Sequence, residues 1–224
     1  MDVKTLAQYL DINAESVIDH KLLDGAAVLR VDLSKEPQLL QPGTSRGTPA
    51  ADLPEEGVFA AELTVDGVPR PFSAQHIKTG RNKIIHEDDG TYEPVPAWLI
   101  VANMYHPNCT YDAAIEKISI WSKNAHSGLD HDLSEPDHSK RPIFMYALGY
   151  AIENSAINLI VTWATAGNFW FQHYADVENG KVLTGRFNDV QFRMPNCHEY
   201  LDQAPDREFE VSLPSGSYNL RGTW

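Results

Sequence analysis

Residues 126–138, HSGLDHDLSEPDH, hold the densest group of metal-ligand residue types in the chain. Three histidines and four carboxylates fall within these thirteen residues. Imidazole nitrogens mixed with carboxylate oxygens suit Zn²⁺ or another divalent transition metal better than Ca²⁺, which prefers oxygen ligands alone. We therefore take four residues as candidate metal ligands, with zinc as the possible cofactor: His126, Asp130, His131 and His138.

The same segment has a simpler interpretation as a polar loop between two strands. The histidines are five and seven residues apart, so they share no helical face and only a folded-back loop could bring them together. An EF-hand is excluded, because Glu135 stands where the loop needs glycine and Arg141 occupies its twelfth position. Asp and Ser side chains that form local turns would explain the composition. We favour the loop and keep the metal site as the alternative.

Two Cys–His pairs form a second candidate group. His106 precedes Cys109 by three residues, and His198 directly follows Cys197. The four side chains would complete a tetrahedral zinc site if the strand ends met, and the two cysteines could instead form a disulfide. Two separate, reduced and mostly buried thiols are the favoured prediction, because the chain shows no disulfide framework.

Aromatic residues on predicted strands suggest a binding surface. Flat rings beside Asn, Asp and Gln can stack on the C–H face of a sugar while the polar groups bind its hydroxyls. The competing interpretation, which we favour, places these rings in the core or in an oligomer interface. The candidate ligand-binding residues are Trp121, Trp170, Tyr174 and Trp224.

The elements that must position these residues are mostly strands. Alternation with a period of two dominates after residue 57, and about ten short strands are separated by turns with no βαβ pattern. Asp66-Gly67 is the dipeptide that a type I′ hairpin turn prefers, and Pro69 and Pro71 place the following strand at a sheet edge. The pattern predicts a mainly β fold, a two-sheet antiparallel sandwich of Greek-key or jelly-roll type with a short helical N-terminal segment.

Several stretches of the chain carry specific predictions. Residues 157–177 read as the clearest hairpin of the chain, with Ala-Gly-Asn as its turn. Residues 181–194 and 208–224 together supply two or three more strands, with a turn at Pro-Ser-Gly-Ser in the second segment. The strand at residues 97–106 is apolar on both faces, which is typical of a central strand.

The predicted organisation has one domain and an N-terminal extension. Residues 1–25 form a helical segment in which Asn13 could cap a helix and Gly25 could end it. Residues 26–224 form a single β-sandwich domain, with an irregular Pro/Gly-rich connection at residues 34–57.

Charge and hydropathy exclude several classes of partner. The formal charge is −13 and the basic residues are scattered, so nucleic acid is not the expected partner. No stretch has the eighteen or more apolar residues of a membrane span, and the N-terminus lacks the apolar region of a secretory signal. We expect a cytoplasmic protein or a subunit of an assembled particle.

The sequence also lacks the P-loop, G-x-G-x-x-G, H-E-x-x-H and C-x-x-C patterns. We therefore predict a non-enzymatic surface-binding or self-assembling protein, a homo-oligomer, either carbohydrate-binding or a structural subunit. The alternative is a metal-dependent enzyme with a His/Asp site on a jelly roll or barrel.

Overall fold

The computed structural model describes residues 2–36, 39, 57–84, 95–105, 114–122, 128–137, 141–152, 155–177, 180–202 and 204–222. Over these ranges the chain forms one short α-helix, α1 (Val3–Tyr9), and one 3₁₀ turn (Ala14–Ser16). The same ranges contain thirteen strands: β1 Val17–Leu23, β2 Ala26–Asp32, β3 Val58–Val65, β4 Val68–Ser73, β5 His76–Ile84, β6 Val95–Tyr105, β7 Ile115–Ser122, β8 Leu129–Asp132, β9 Ile143–Ile152, β10 Ala156–Trp163, β11 Ala166–Val177, β12 Gly180–Met194 and β13 Phe209–Gly222.

The strands form two packed sheets, and the recorded pairings are antiparallel. The seven-stranded sheet has the order β1-β2-β10-β9-β7-β6-β5, and the six-stranded sheet has the order β4-β3-β13-β12-β11-β8. This confirms the predicted mainly β, two-sheet antiparallel sandwich with a short N-terminal helix.

The core between the sheets is rich in aromatic rings. Phe144 of the seven-stranded sheet lies edge-on to Phe187 of the six-stranded sheet, with ring centroids 5.2 Å apart. Phe169 likewise meets Phe144 at 6.0 Å. These rings are fully or almost fully buried, so the inward residues of both sheets form one continuous apolar layer.

A second core covers the opposite face of the seven-stranded sheet. Tyr9 of α1 packs on Trp121 of β7 with ring centroids 4.9 Å apart. Along β7, Ile118 and Ile120 belong to the core between the sheets, whereas Ile115 and Trp121 belong to the core beneath the N-terminal segment. Burial on both sides explains why the central strands of this sheet are apolar on both faces.

The N-terminal segment is less helical than the sequence analysis expected. Helix α1 begins after Asp2, whose carboxylate accepts hydrogen bonds from the amides of Lys4 and Thr5. The prediction of helix at residues 17–23 is wrong, because these residues form β1 and pair with β2. Asp24 and Gly25 make the two-residue turn between these strands, with Gly25 at φ 74°. The glycine interpreted as a helix stop is therefore a hairpin residue.

The predicted hairpin at Asp66-Gly67 is confirmed. Both residues have positive φ, 49° and 76°, as a type I′ turn requires. The strand with Pro69 and Pro71, β4, is an edge of its sheet as expected.

The hairpin predicted over residues 157–177 is wrong, because β10 and β11 belong to different sheets. The chain crosses between the sheets at Ala164 and Thr165. The amide of Ala164 bonds to Phe144 in one sheet, and the amide of Thr165 bonds to Gln191 in the other. Strand β10 is instead paired with β2 and β9 on its two sides.

The turn predicted at Pro-Ser-Gly-Ser is also wrong. Strand β13 continues through Pro214, and its register with β3 shifts between Ser212 and Ser215. Proline is tolerated in this central strand because the irregularity removes the need for its missing amide. Most of the predicted irregular connection at residues 34–57 lies outside the described residues.

Candidate functional site

Trp170 lies on the outer face of the six-stranded sheet. Its neighbours in β11, Phe169 and Phe171, are buried between the sheets. Because successive residues of a strand point to opposite faces, the indole projects outward, where it is half-buried.

A row of polar side chains crosses the sheet at the level of this ring. In register, Trp170 is opposite Asp130 of β8 on one side and Arg186 of β12 on the other. The guanidinium carbon of Arg186 lies 4.8 Å from the centroid of the indole ring, a cation–π contact. Asp130 and Arg186 are both exposed, so opposite charges flank the ring.

The adjacent row adds amides and a further carboxylate. Asn168, two residues before Trp170, is opposite Asp132 on one side and Asn188 on the other. The Asn188 amide donates to the carboxylate of Asp189 at 2.5 Å. We call the following six residues the Trp170 face: Asp130, Asp132, Asn168, Trp170, Arg186 and Asn188.

Gly185 and Tyr218 hold the backbone beneath the indole. The hydroxyl of Tyr218 passes against Gly185 and donates a hydrogen bond of 3.0 Å to the carbonyl of Trp170. A side chain at position 185 would overlap with this hydroxyl and with the Trp170 carbonyl. Burial raises the pKa of Tyr218, so the phenol keeps its proton and remains a donor.

The other predicted aromatic ligands do not join this face in the described residues. The prediction of Trp121 as a surface ligand is wrong, because this residue is 1 % exposed and packs on Tyr9. Tyr174 lies in β11 in register with Leu183, and its side chain is outside the described part. Trp224 lies outside the described residues. Of these four residues, Trp170 is the one the structure places on an open face.

The histidine-rich segment is not wholly a loop, because residues 129–132 form β8 and pair with β11. Asp130 is exposed opposite Trp170, whereas His131 is opposite Phe169 and meets the Phe171 ring edge-on at 6.2 Å. The two candidate metal ligands therefore lie on opposite faces of one strand and do not converge. His126 and His138 lie outside the described residues.

Local hydrogen bonds stabilise the end of β8 and the residues that follow it. Asp132 accepts hydrogen bonds from the hydroxyl and amide of Ser134, which lower the pKa of Asp132. The buried Arg141 donates from Nε to the carbonyl of Glu135 at 2.6 Å. Within the described ranges, no three His, Cys, Asp or Glu residues are placed to hold a metal ion.

Cys197 is a free, buried thiol, as the favoured prediction stated. Burial raises its pKa to about 11, so it is protonated and weakly nucleophilic near neutral pH. The adjacent His198 donates from Nδ1 to the carbonyl of Ala204 at 3.0 Å. His106 and Cys109 lie outside the described residues.

Sequence reasoning identified Trp170 and Asp130, though it assigned Asp130 to a metal, and it missed Arg186. The pattern Gly185-Arg186-Phe187 signals an outward Arg186, since Phe187 is apolar and alternates with it. The contact of Arg186 with Trp170 depends on the register between β11 and β12, which cannot be predicted from the sequence of either strand alone.

Comparisons of the chain with protein-family models, curated proteins and solved structures found no match. Among the described residues, no helix has the length and apolar character needed to cross a membrane. The functional inference therefore rests on the geometry of the Trp170 face.

Proposed function

We propose that this is a non-enzymatic binding protein whose Trp170 face binds carbohydrate. The observation that supports the proposal is an indole on the outer face of a sheet, between an exposed carboxylate and a guanidinium. The neighbouring rings of β11, Phe169 and Phe171, are buried in the core between the sheets, so Trp170 is not needed to fill that core.

The residue types around the ring match the chemistry of a sugar. The C–H groups on one face of a pyranose pack against an indole, and its hydroxyls both donate and accept hydrogen bonds. Asp130 would accept from such hydroxyls, and Arg186 would donate to them or to a sugar carboxylate. An open sheet face favours an extended polysaccharide over a small enclosed ligand. The alternative of a metal-dependent enzyme gains no supporting contact within the described ranges, because Asp130 and His131 diverge.

A second surface, a depression of about 630 Å³ beside the β3–β4 turn, is less suited to a ligand. Its charged groups already pair with one another, Arg193 with Glu208 and Arg207 with Asp66. A ligand would have to displace these ion pairs, whereas on the Trp170 face it would meet an indole whose contact with the exposed Arg186 guanidinium is a cation–π contact.

Affinity electrophoresis through gels that contain mannan, xylan, a soluble β-glucan or pectate tests the proposal. We expect at least one polysaccharide to retard the full chain, and Trp170→Ala to weaken that retardation at least about tenfold, because ring stacking is lost. Trp163→Ala is the matched control. Trp163 is also partly buried, but it packs on the core beneath the N-terminal segment.

Trp163→Ala should bind like the unmodified protein once both are shown to be folded by circular dichroism. Absence of retardation by every polysaccharide, or unchanged retardation of Trp170→Ala, would refute carbohydrate binding at this face.

A further inference from the structure

Strand β1 presents an exposed edge that carries both apolar and charged side chains. It is the last strand of the seven-stranded sheet and pairs with β2, and no other described strand lies beyond it. Ile18 and Leu22 are 55 % and 45 % exposed. Tyr200 adds a 41 % exposed ring nearby, with the ammonium of Lys21 5.5 Å from its centroid. An edge of this kind can pair with another strand.

The other edge strands carry features that discourage such pairing. Strand β4 contains two prolines, which lack the amide needed for a ladder. Strand β8 has only four residues, two of them exposed aspartates. Strand β5 carries three basic residues, Lys78, Arg81 and Lys83. Strand β1 has seven residues and no proline.

The sequence of β1 is complementary to itself in antiparallel orientation. When two copies are aligned about His20, Asp19 of each copy is opposite Lys21 of the other, and Ile18 is opposite Leu22. A shift of two residues in one direction places Lys21 opposite Lys21, and a shift in the other places Asp19 opposite Asp19. Like charges directly opposite one another are destabilising, so charge selects the register centred on His20.

The structure of the single chain fits this register. The register partners of Asp19 and Lys21 are Arg30 and Val28, which lie two residues apart in β2, so Asp19 and Lys21 share one face of the sheet. The amide of His20 donates to the carboxylate of Asp19 at 2.8 Å. A second copy would supply the carbonyl of its own His20 to that amide, and Asp19 would then be free to pair with Lys21.

We propose that β1 pairs antiparallel with β1 of a second copy of this chain and forms a two-fold symmetric homodimer. The seven-stranded sheets then join into one continuous sheet. The Trp170 face belongs to the other sheet and stays open in both copies, so the dimer is independent of the proposed carbohydrate binding.

Sedimentation velocity at protein concentrations from about 1 to 100 µM tests the proposed dimer. The full chain and its charge-swap variants are compared. We expect a concentration-dependent dimer. Asp19→Lys and Lys21→Asp each place like charges at both symmetric pairs, and each should raise the dimer dissociation constant about tenfold or more. The double variant Asp19→Lys/Lys21→Asp restores opposite charges and should restore the dimer.

Asp202→Lys, an exposed acid outside β1, is the matched control and should leave the dimer unchanged. Circular dichroism would confirm that every variant is folded, since all the changed side chains are exposed. A monomer at every concentration would overturn the proposal. This is the result expected if another segment of the same chain covers β1. If neither single charge swap changes the dimer dissociation constant, the interface lies elsewhere on the molecule and the proposal is overturned. If the double variant does not restore the dimer, the register centred on His20 is wrong.

Discussion

At the residue scale, the position of Trp170 depends on a glycine and a tyrosine behind it. Tyr218 is 2 % exposed, and its hydroxyl reaches the Trp170 carbonyl only because Gly185 has no side chain. A hydrogen bond of this kind typically stabilises a fold by about 0.5–1.5 kcal/mol. Gly185 is therefore required for close approach rather than for a special backbone angle.

Gly185→Ala should lower the free energy of unfolding by roughly 1–3 kcal/mol, because its methyl group would overlap with the Tyr218 hydroxyl and the Trp170 carbonyl. Denaturant unfolding monitored by far-ultraviolet circular dichroism measures the change. In the comparison variant Gly57→Ala, the new methyl would come no closer than 3.3 Å to the Leu220 side chain, and the loss should be much smaller. Equal losses in the two variants would contradict the role of Gly185.

At the element scale, capping positions the short helix against the sheet. The carboxylate of Asp2 accepts hydrogen bonds from two amides and, at 2.6 Å, from the hydroxyl of Thr5. Burial raises the pKa of Asp2, but these hydrogen bonds outweigh it, and the net pKa lies below the ordinary value of 3.8. The charged cap therefore stabilises the fold above that value, and this stabilisation is lost as the pH falls through the lowered pKa.

Asp2→Ala should lower the free energy of unfolding by about 1 kcal/mol at pH 7, because the N-terminal amides of α1 lose their acceptor. The difference from the unmodified protein should shrink as the pH falls below 3.8, since protonation removes the charged cap from the unmodified protein as well. Urea unfolding at pH 7 and pH 2.5 measures both values. In Asp2→Asn the cap is neutral at both pH values, so the contribution of residue 2 to the free energy of unfolding should not change with pH. A constant difference for Asp2→Ala would contradict the capping role.

Individual elements also show how far the sequence could be interpreted. The turn at Asp66-Gly67 and the edge prolines were predictable, because local backbone geometry and the missing amide of proline act within a few residues. Strand β1 was not predictable, because its turn residues, Asp24 and Gly25, also suit the end of a helix. Pairing with β2 decided between the two interpretations.

At the scale of the whole molecule, an ion pair between a partly buried arginine and a fully buried glutamate joins the two sheets. Arg70 of β4 contacts Glu116 of β7, which is fully buried and also accepts a 2.6 Å hydrogen bond from the Tyr146 hydroxyl of β9. Removal of one partner leaves a charge in an apolar layer, which is far more destabilising than the loss of an exposed pair. The pair therefore fixes the edge strand β4 against the opposite sheet.

Arg70→Met should lower the free energy of unfolding by about 3 kcal/mol, because the buried carboxylate of Glu116 loses its contact with the Arg70 guanidinium. Arg193→Met breaks an exposed pair with Glu208, whose side chains are 71 % and 53 % accessible, and should change stability little. Chemical denaturation of both variants in the same buffer compares them. Similar midpoints for the two variants would show that Arg70 and Glu116 do not hold the sheets together.

The sequence by itself determined the mainly β class, the hairpin at Asp66-Gly67 and the short helix near the N-terminus. These features depend on alternation and turn chemistry between neighbouring residues. The tertiary structure decided that β10 and β11 lie in different sheets, that Trp121 is buried beneath Tyr9 and that Arg186 covers the Trp170 ring. Alternation shows which side chains share a face of one strand, but partner, register and the second covering layer arise from long-range packing across the whole chain.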